Sequence, residues 1–348
     1  MAELMPDASD EEFLAHCYAH LLGREPDPDG RKHHLQLLAA GTPRAALLAA
    51  FVGADEFVAR FNAAVEEGAA RQFAPAGHFY SPLPASDDYE ARYAALALDD
   101  AGLVDAARQL ELADRFRAYY AELPFPLQAS AEHRYHLNNG AFNCFDGIIL
   151  FCFIRHLQPR NIIEVGSGYS SALMLDCCER FLPGRTALTF IDPFPAALSA
   201  CLHPGDEQNC RILPTPVQAV PLETFAALGR GDILFIDSSH VSKFGSDLNH
   251  LLFKVLPLLA GGVVIHFHDI FSNFDYPREW LREGRAWNEG YLVRAFLAGN
   301  AGYRILFFND WFAHHHWDYL CRHMPLCTVQ PEGSPFKNCG VSLWIEKL

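Results

Sequence analysis

Four short stretches place acids, histidines or paired glycines where an apolar run ends, and their residue types limit the chemistry they could perform. The first is Asn161 to Ser171, Asn-Ile-Ile-Glu-Val-Gly-Ser-Gly-Tyr-Ser-Ser. A short continuous apolar run reads as a buried parallel strand. Gly166 and Gly168 then let the backbone turn tightly and approach a ligand that a Cβ would exclude. A dinucleotide-binding turn needs Gly-x-Gly-x-x-Gly, whereas here Glu164 holds the first glycine place and Ser171 the third. No P-loop lysine follows, so a phosphate has little to hold it. A carboxylate at the strand end suits a ligand carrying an ammonium group or hydroxyls.

The second stretch is Asp192-Pro193-Phe194, which puts an acid where ribose hydroxyls are bound at the end of a second strand. The third and fourth are Asp237-Ser238-Ser239-His240 and His266-Phe267-His268-Asp269. Transfer to an oxygen requires the hydroxyl to lose its proton as it attacks, which a histidine near neutral pKa or a divalent metal can arrange. His268 or His240 is the candidate base, and His266 reads as buried in a strand.

These groups work together only if the chain places their strands side by side. From residue 160 strands and helices alternate, the pattern of a doubly wound parallel sheet. The strands are predicted at 161–165, 186–191, 210–213, 232–236, 262–267, 303–308 and 341–346. Helices are predicted at 169–181, 221–228, 242–258 and 285–299, the last of these being the final helix. Adjacent fourth and fifth strands would bring Asp237, His240, His268 and Asp269 to one mouth, because ligands of such sheets sit beyond the carboxyl ends of the strands. Gln218 follows the third strand, where it either touches a base or lies in a surface loop. His314-His315-His316, flanked by Trp311, Phe312, Trp317 and Tyr319, reads as an aromatic loop after the sixth strand. It suits either the apolar face of a sugar or a contact surface. Asn273, Asp275 and Tyr276 are further acceptor-site candidates.

Upstream, residues 1–66 read as a small all-α domain and 67–87 as a Pro- and Gly-containing linker. Ser9 or Asp10 caps a first helix that Gly23 stops, Asp27-Pro28-Asp29-Gly30 is turn chemistry, and a second helix spans 31–40. Residues 43–61 cover one or two more helices, a helical lead-in spans about 88–123, and a buried helix spans about 146–156. Residues 88–348 form the second domain, with its lead-in to 130 and its core from 131.

Glu164-Val165-Gly166-Ser167-Gly168 resembles motif I of the class I S-adenosylmethionine-dependent methyltransferases, and the order of elements from about 130 to 348 is similar to theirs. The resemblance implies a seven-stranded Rossmann-like sheet with an antiparallel seventh strand, and S-adenosylmethionine as cofactor. It implies that Glu164 lies near the cofactor's amino group, that Gly166, Ser167 and Gly168 line it, and that Ser170 and Ser171 face its carboxylate or simply cap the helix. Asp192 would hold the ribose, and Phe194 and Gln218 the adenine, next to Asp237. Tyr135, Asn138 and Asn139 fall in a segment that often covers the cofactor, or they cap turns. The chain further resembles sugar O-methyltransferases of the macrocin kind, whose acids at the fourth and fifth strand ends bind magnesium; this implies Asp237 and Asp269 as metal ligands. Those enzymes carry an acidic pair where His268-Asp269 stands, and histidine is a poor magnesium ligand. Magnesium therefore stays open. Leu22 to Gly30 with Gly41 and Glu56-Phe57 resembles a bacterial domain family of unknown function, implying docking, self-association or a stabilising appendage.

Composition narrows the partners. A net charge of −15 argues against nucleic acid and anionic membrane surfaces and fits a small or neutral acceptor, which the resemblance to sugar O-methyltransferases implies is a small molecule or glycan. The acidic N-terminus and the lack of any eighteen-residue apolar run predict a cytoplasmic protein. The ten cysteines lack zinc-site spacing and read as reduced thiols. Two other readings stay open: a nicotinamide-dependent oxidoreductase, against which the missing third glycine counts, and a noncatalytic scaffold on the same fold.

Overall fold

A computed structural model describes residues 9–52, 54–60, 73–87, 102–330 and 340–348. The chain divides into two units, Met1–Ala85 and Ser86–Leu348. Parts of the predicted 43–61 and 88–123 helical stretches and of the linker lie outside the described residues.

In the first unit, α1 (Asp10–Cys17) continues as a wider turn to Leu22. Ser9 starts α1 with a capping box: Glu12 N–H donates to Ser9 Oγ, and Ser9 N–H donates to the Glu12 carboxylate. Gly23, at φ 69°, ends it in the left-handed conformation. The Asp27–Gly30 stretch is no free turn. Asp27 caps α2 (Pro28–Ala39), accepting from Gly30 N–H at 2.8 Å, and Pro28 occupies the first helical position, where its missing N–H costs nothing. With α3 (Arg44–Val52), these helices bury Phe13, Leu14, Cys17, Tyr18, Leu38, Leu47 and Phe51.

The second unit begins, among the described residues, with α4 (Ala106–Tyr120), capped by Asp105. Residues 102–105 of the predicted lead-in helix are therefore not helical. Next comes α5 (Cys144–Leu157), buried on every side from Cys144 to Ile154 because its apolar run wraps the whole helix. The sheet follows: β1 (Asn161–Val165), α6 (Tyr169–Phe181), β2 (Ala187–Ile191), β3 (Cys210–Leu213), α7 (Leu222–Ala226) and β4 (Ile233–Ile236). After α8 (Asp247–His250) come β5 (Val264–Phe267), α9 (Arg278–Arg282), α10 (Glu289–Leu297), β6 (Tyr303–Phe308), α11 (Asn309–His323) and β7 (Leu343–Lys347). The strand order is β3-β2-β1-β4-β5-β7-β6, parallel from β3 to β5, with β7 antiparallel to β5 and to β6. Hydrophobic cores cover both faces. Every residue of β4 and β5 is buried, which is why those segments read as unbroken apolar runs.

Two further predicted elements differ. The helix placed at 242–258 starts only at Asp247, because Gly245 at φ 71° and the Ser246 cap, which accepts from Asn249 N–H, turn the chain just before it. The helix at 289–297 is not the last, and the histidine-rich stretch is no loop but part of α11. There His315 bonds Trp311 O at 2.8 Å and stacks on its ring at 4.0 Å, while His314 pairs with Asp310 at 3.5 Å. Helical spacing thus turns these two histidines back onto their own helix.

Candidate active site

Hydrogen bonding continues one residue past the strand ends and sets the site's framework. Asp237 N–H donates to Val165 O, His268 N–H to Ile236 O and Gly166 N–H to Ile191 O, at 2.9, 3.0 and 2.9 Å. Since Ile236 is level with Phe267 in the register, Asp237 and His268 leave the sheet side by side. Gly166 adopts φ 87°, and a Cβ there would lie 1.8 Å from Asp237 O, so only glycine lets the β1 turn cross the end of β4.

A cavity of 520 Å³ opens at this topological switch point, bordered by Gly166, Ser167, Asp192, Phe194, Gln218 and Asp237. Asp192 organises its rim, accepting from Ser167 N–H and Oγ at 3.0 and 2.8 Å and from Phe194 N–H at 2.8 Å. The Phe194 ring is 84% exposed, free to cover a ligand. Gln218 also borders the cavity, its amide donating to Gly245 O at 2.9 Å. A separate 420 Å³ cavity, bordered by Arg115, Arg230 and Gly262, lies where β4 and β5 begin, the end of the sheet that doubly wound folds do not use for ligands.

Glu164 does not border the cavity. It is fully buried and accepts hydrogen bonds from the Ser170 and Ser171 hydroxyls. Burial raises its carboxyl to about 8, against the opposing pull of the two serines. The three residues thus fasten β1 to the start of α6 instead of pointing their polar atoms at the ligand. Gly168 N–H donates to Ser171 Oγ at 3.0 Å, tightening the same turn. Tyr135, Asn138 and Asn139 form no lid in this structure. Tyr135 is buried with its hydroxyl donating to Phe142 O, and Asn139 caps the 139–142 turn by accepting from Ala141 and Phe142 N–H. Asn138 N–H donates to Leu127 O, holding the segment to the chain before it.

At the ends of β4 and β5 two imidazoles face one gap. His240 Nε2 lies 3.3 Å from Asp237 and 3.5 Å from Asp269, and His268 Nδ1 lies 3.6 and 3.5 Å from the same two acids. Each ring has a buried acid at its other nitrogen: Glu289 accepts from His240 Nδ1 at 2.7 Å, and Asp146 lies 3.7 Å from His268 Nε2. Backbone strain aims these groups. His240 and Asp269 adopt φ 58° and 57°, which non-glycine residues occupy at a cost, and such costs concentrate at functional sites. The N-terminus of α10 fixes the His240 turn, with Asn288 and Glu289 N–H donating to His240 O and Ser242 N–H to Asn288 Oδ1.

Burial opposes charge on both rings, yet Asp237, Glu289 and Asp269 raise His240 to about 10, and Asp269, Asp237 and Asp146 raise His268 well above the ordinary value. Burial alone would raise Asp237; the two imidazoles hold it far below the carboxylate range instead. His266 is buried, hydrogen-bonded to Ser342 Oγ and stacked on Phe235, and burial drives it well below its usual value. Beside His240 stands an aromatic wall, with Trp287 at 4.3 Å, Trp280 at 4.9 Å from Trp287, and Arg285 over both indoles. Asp275 accepts from the Tyr291 hydroxyl, Asn273 bonds Asp275 N–H, and Tyr276 accepts from Gly290 N–H, so these three shape the wall's edge. Asp146, Glu289, Trp280 and Trp287 were not singled out from the sequence.

Residues 163–270 match a family described as a methyltransferase domain, and residues 2–61 match a domain of unknown function (DUF4214). A protein of Archaeoglobus fulgidus described as uncharacterized is 31% identical over 166 residues, spanning 44% of this chain and 73% of the relative. Similar solved structures include an O-methyltransferase from Bacillus cereus in complex with SAH, at 13% identity over 76% of this chain and 100% of that one, with a TM-score of 0.35. The O-methyltransferase TomG from Streptomyces achromogenes, in complex with SAM, is 15% identical over 75% of this chain and 96% of that one, with a TM-score of 0.34. Likenesses at these scores carry no weight beside the family match and the strand order. The chain belongs to the class I methyltransferase family and carries its methyltransferase domain behind an N-terminal domain of the second family. No helix among the described residues is long and apolar enough to cross a membrane.

Proposed function

We propose that this protein transfers a methyl group from S-adenosylmethionine to a hydroxyl of a small sugar-like acceptor, and the observation that carries the reading is the adjacency of two features. The nucleoside-sized cavity rimmed by Asp192 and Phe194 shares Asp237 with the gap that His240, His268 and Asp269 border. When bound, S-adenosylmethionine supplies an electrophilic sulfonium methyl. Asp192 would accept from the ribose hydroxyls, Phe194 and Gln218 would flank the adenine, and the Gly166–Gly168 backbone would border the methionine part. His268, in its neutral form, would receive the acceptor's proton at Nδ1 as the methyl leaves the sulfonium for the hydroxyl oxygen, so transfer requires the ring first to release the proton that Asp269, Asp237 and Asp146 favour there. The Trp280–Trp287 wall next to His240 supports a sugar acceptor, whose apolar ring face packs on indole.

Magnesium is a poor match for this gap. It prefers six oxygens, and two of the four groups here are imidazoles. The N-terminal helices, with a core of their own, are proposed to act outside the reaction as a docking or self-association module.

Calorimetric titration with S-adenosylhomocysteine tests the reading. Wild type should bind, and Asp192→Ala should bind at least tenfold more weakly, as loss of a charged hydrogen-bond acceptor predicts. Absence of binding to folded wild type would remove the reading.

A further inference from the structure

The 420 Å³ cavity where β4 and β5 begin carries a charge opposite to that of the chain. The chain has 42 acidic residues and 27 basic ones, yet Arg108, Arg115, Arg230 and Arg304 border this cavity against Glu111 and Glu346. Two of the four guanidiniums are engaged: Arg304 Nε donates to Glu346 at 2.8 Å, and Arg108 lies 3.7 Å from Asp105. Arg115 and Arg230 have no carboxylate partner among the described residues.

Local structure gathers these groups around one space. Arg108, Glu111, Leu112 and Arg115 recur at helical spacing along α4 and so share a face. Val264, Glu346 and Arg304 are level across β5, β7 and β6, on the face of the sheet where Phe153 of α5 stacks on Trp344 at 4.1 Å. Arg230 reaches the cavity across Gly262. A Cβ there would lie 2.8 Å from Arg230 Cγ, and the φ of 90° likewise favours glycine. Leu112, Phe153, Leu157 and Leu306 give the cavity an apolar lining. His156 also borders it; burial, and after it the Arg115 charge, lowers that ring's pKa and leaves it a neutral hydrogen-bonding group.

Unpaired arginines around an apolar hollow suit one class of ligand. A guanidinium meets a phosphate with paired N–H donors and stacks on flat rings. Small-molecule sites span about 300 to 1,000 Å³, and a bare phosphate would leave the apolar lining uncovered. We infer that this cavity binds a small organic phosphate of nucleoside-monophosphate size, its phosphate held by Arg115 and Arg230 and its flat body against the apolar lining. This ligand is not the methyl acceptor. All of β4 lies between Arg230 and Asp237, so about 20 Å of extended chain separates the two sites. The inference goes beyond the proposed reaction and stands without it.

The test titrates the full-length chain calorimetrically with UMP, with uridine and with inorganic phosphate. Wild type should bind one UMP at least tenfold more tightly than either of the other two, and saturating S-adenosylhomocysteine should not displace it. Arg115→Gln and Arg230→Gln, both at exposed positions, should each weaken UMP binding at least tenfold, as loss of a charge-assisted hydrogen bond predicts. Glu111→Gln removes an acid from the border and should tighten binding, a gain that damage to the fold would not produce. Asp192→Ala, in the other cavity, should leave UMP affinity unchanged. Thermal unfolding verifies that each variant folds. No UMP binding by wild type at millimolar concentration, uridine or inorganic phosphate binding as tightly as UMP, displacement by S-adenosylhomocysteine, or unchanged affinity in the folded Arg115→Gln and Arg230→Gln variants would each overturn the inference. Wild type that binds S-adenosylhomocysteine but no UMP refutes this inference alone, whereas UMP binding without S-adenosylhomocysteine binding refutes the cofactor reading alone.

Discussion

The carboxylate of Asp146 on α5 lies 3.7 Å from His268 Nε2, while Asp237 and Asp269 face the same ring at Nδ1. Asp146 also accepts from Asn309 Nδ2 and from the Val341 and Ser342 N–H groups. One buried acid therefore joins α5, the start of α11 and the approach to β7 to the proposed base.

Asp146→Asn should lower stability by about 1 to 3 kcal/mol, because an amide N–H₂ then confronts donors that lose their acceptor. It should also lower the pH at which His268 loses its proton, because Asp146 is one of the acids that raise it. Denaturant unfolding measures the first effect and ¹⁵N NMR of the histidines the second; an unchanged His268 spectrum in a destabilised variant would show Asp146 to be structural only.

Gly166→Ala should damage the fold more than an ordinary loop substitution. The new Cβ would lie 1.8 Å from the Asp237 carbonyl oxygen, at a residue whose φ is 87°. Either β1 or β4 must move, so a loss of at least about 3 kcal/mol is expected. Urea titration of the purified variant, with S-adenosylhomocysteine binding as a second readout, checks it.

Arg134→Met should cost about 3 to 5 kcal/mol by leaving buried acids without their cation. Arg134 bonds Asp206 through two nitrogens at 2.7 and 2.6 Å and Asp176 at 2.7 Å, and all three side chains are nearly inaccessible. Double substitution of Arg134 with Asp206→Asn should recover part of the loss, and no recovery would place the cost elsewhere.

Stability should fall as pH rises from about 4.5 to about 8 through Glu164. Burial raises its folded-state value from 4.5 to about 8, so the folded chain keeps a proton that the unfolded chain has released. Its contribution is complete below pH 4.5 and is lost as pH passes 8, by up to about 5 kcal/mol from the size of that shift. Glu164→Gln should flatten this slope. Denaturant midpoints at pH 5 and pH 8.5 for both proteins decide it, and equal slopes would refute the assignment.

The sheet was readable because each strand is a bounded apolar run with its chemistry at the carboxyl end. β3 and β6 begin and end where the sequence put them, and Asp237, His240, His268 and Asp269 meet as expected. What escaped depends on contacts between distant segments. Nothing in the apolar run of α5 marks Asp146 as facing His268, and Glu289 sits in a polar stretch with no spacing that points to His240. The histidines of α11 misled for the converse reason: a run of polar and aromatic residues resembled a loop, but their partners lie one helical turn away. Likewise, Glu164 has the motif's place but spends its oxygens on two hydroxyls of the next helix, a local competition that only the folded turn reveals.

The amides of Gly166, Asp237 and His268 all donate to the last residues of neighbouring central strands. Those amides therefore belong to the most protected cooperative unit of the domain, and their deuterium exchange should require its global opening. The mouth of the candidate site and the sheet should then have a single lifetime, the site melting only when the sheet opens.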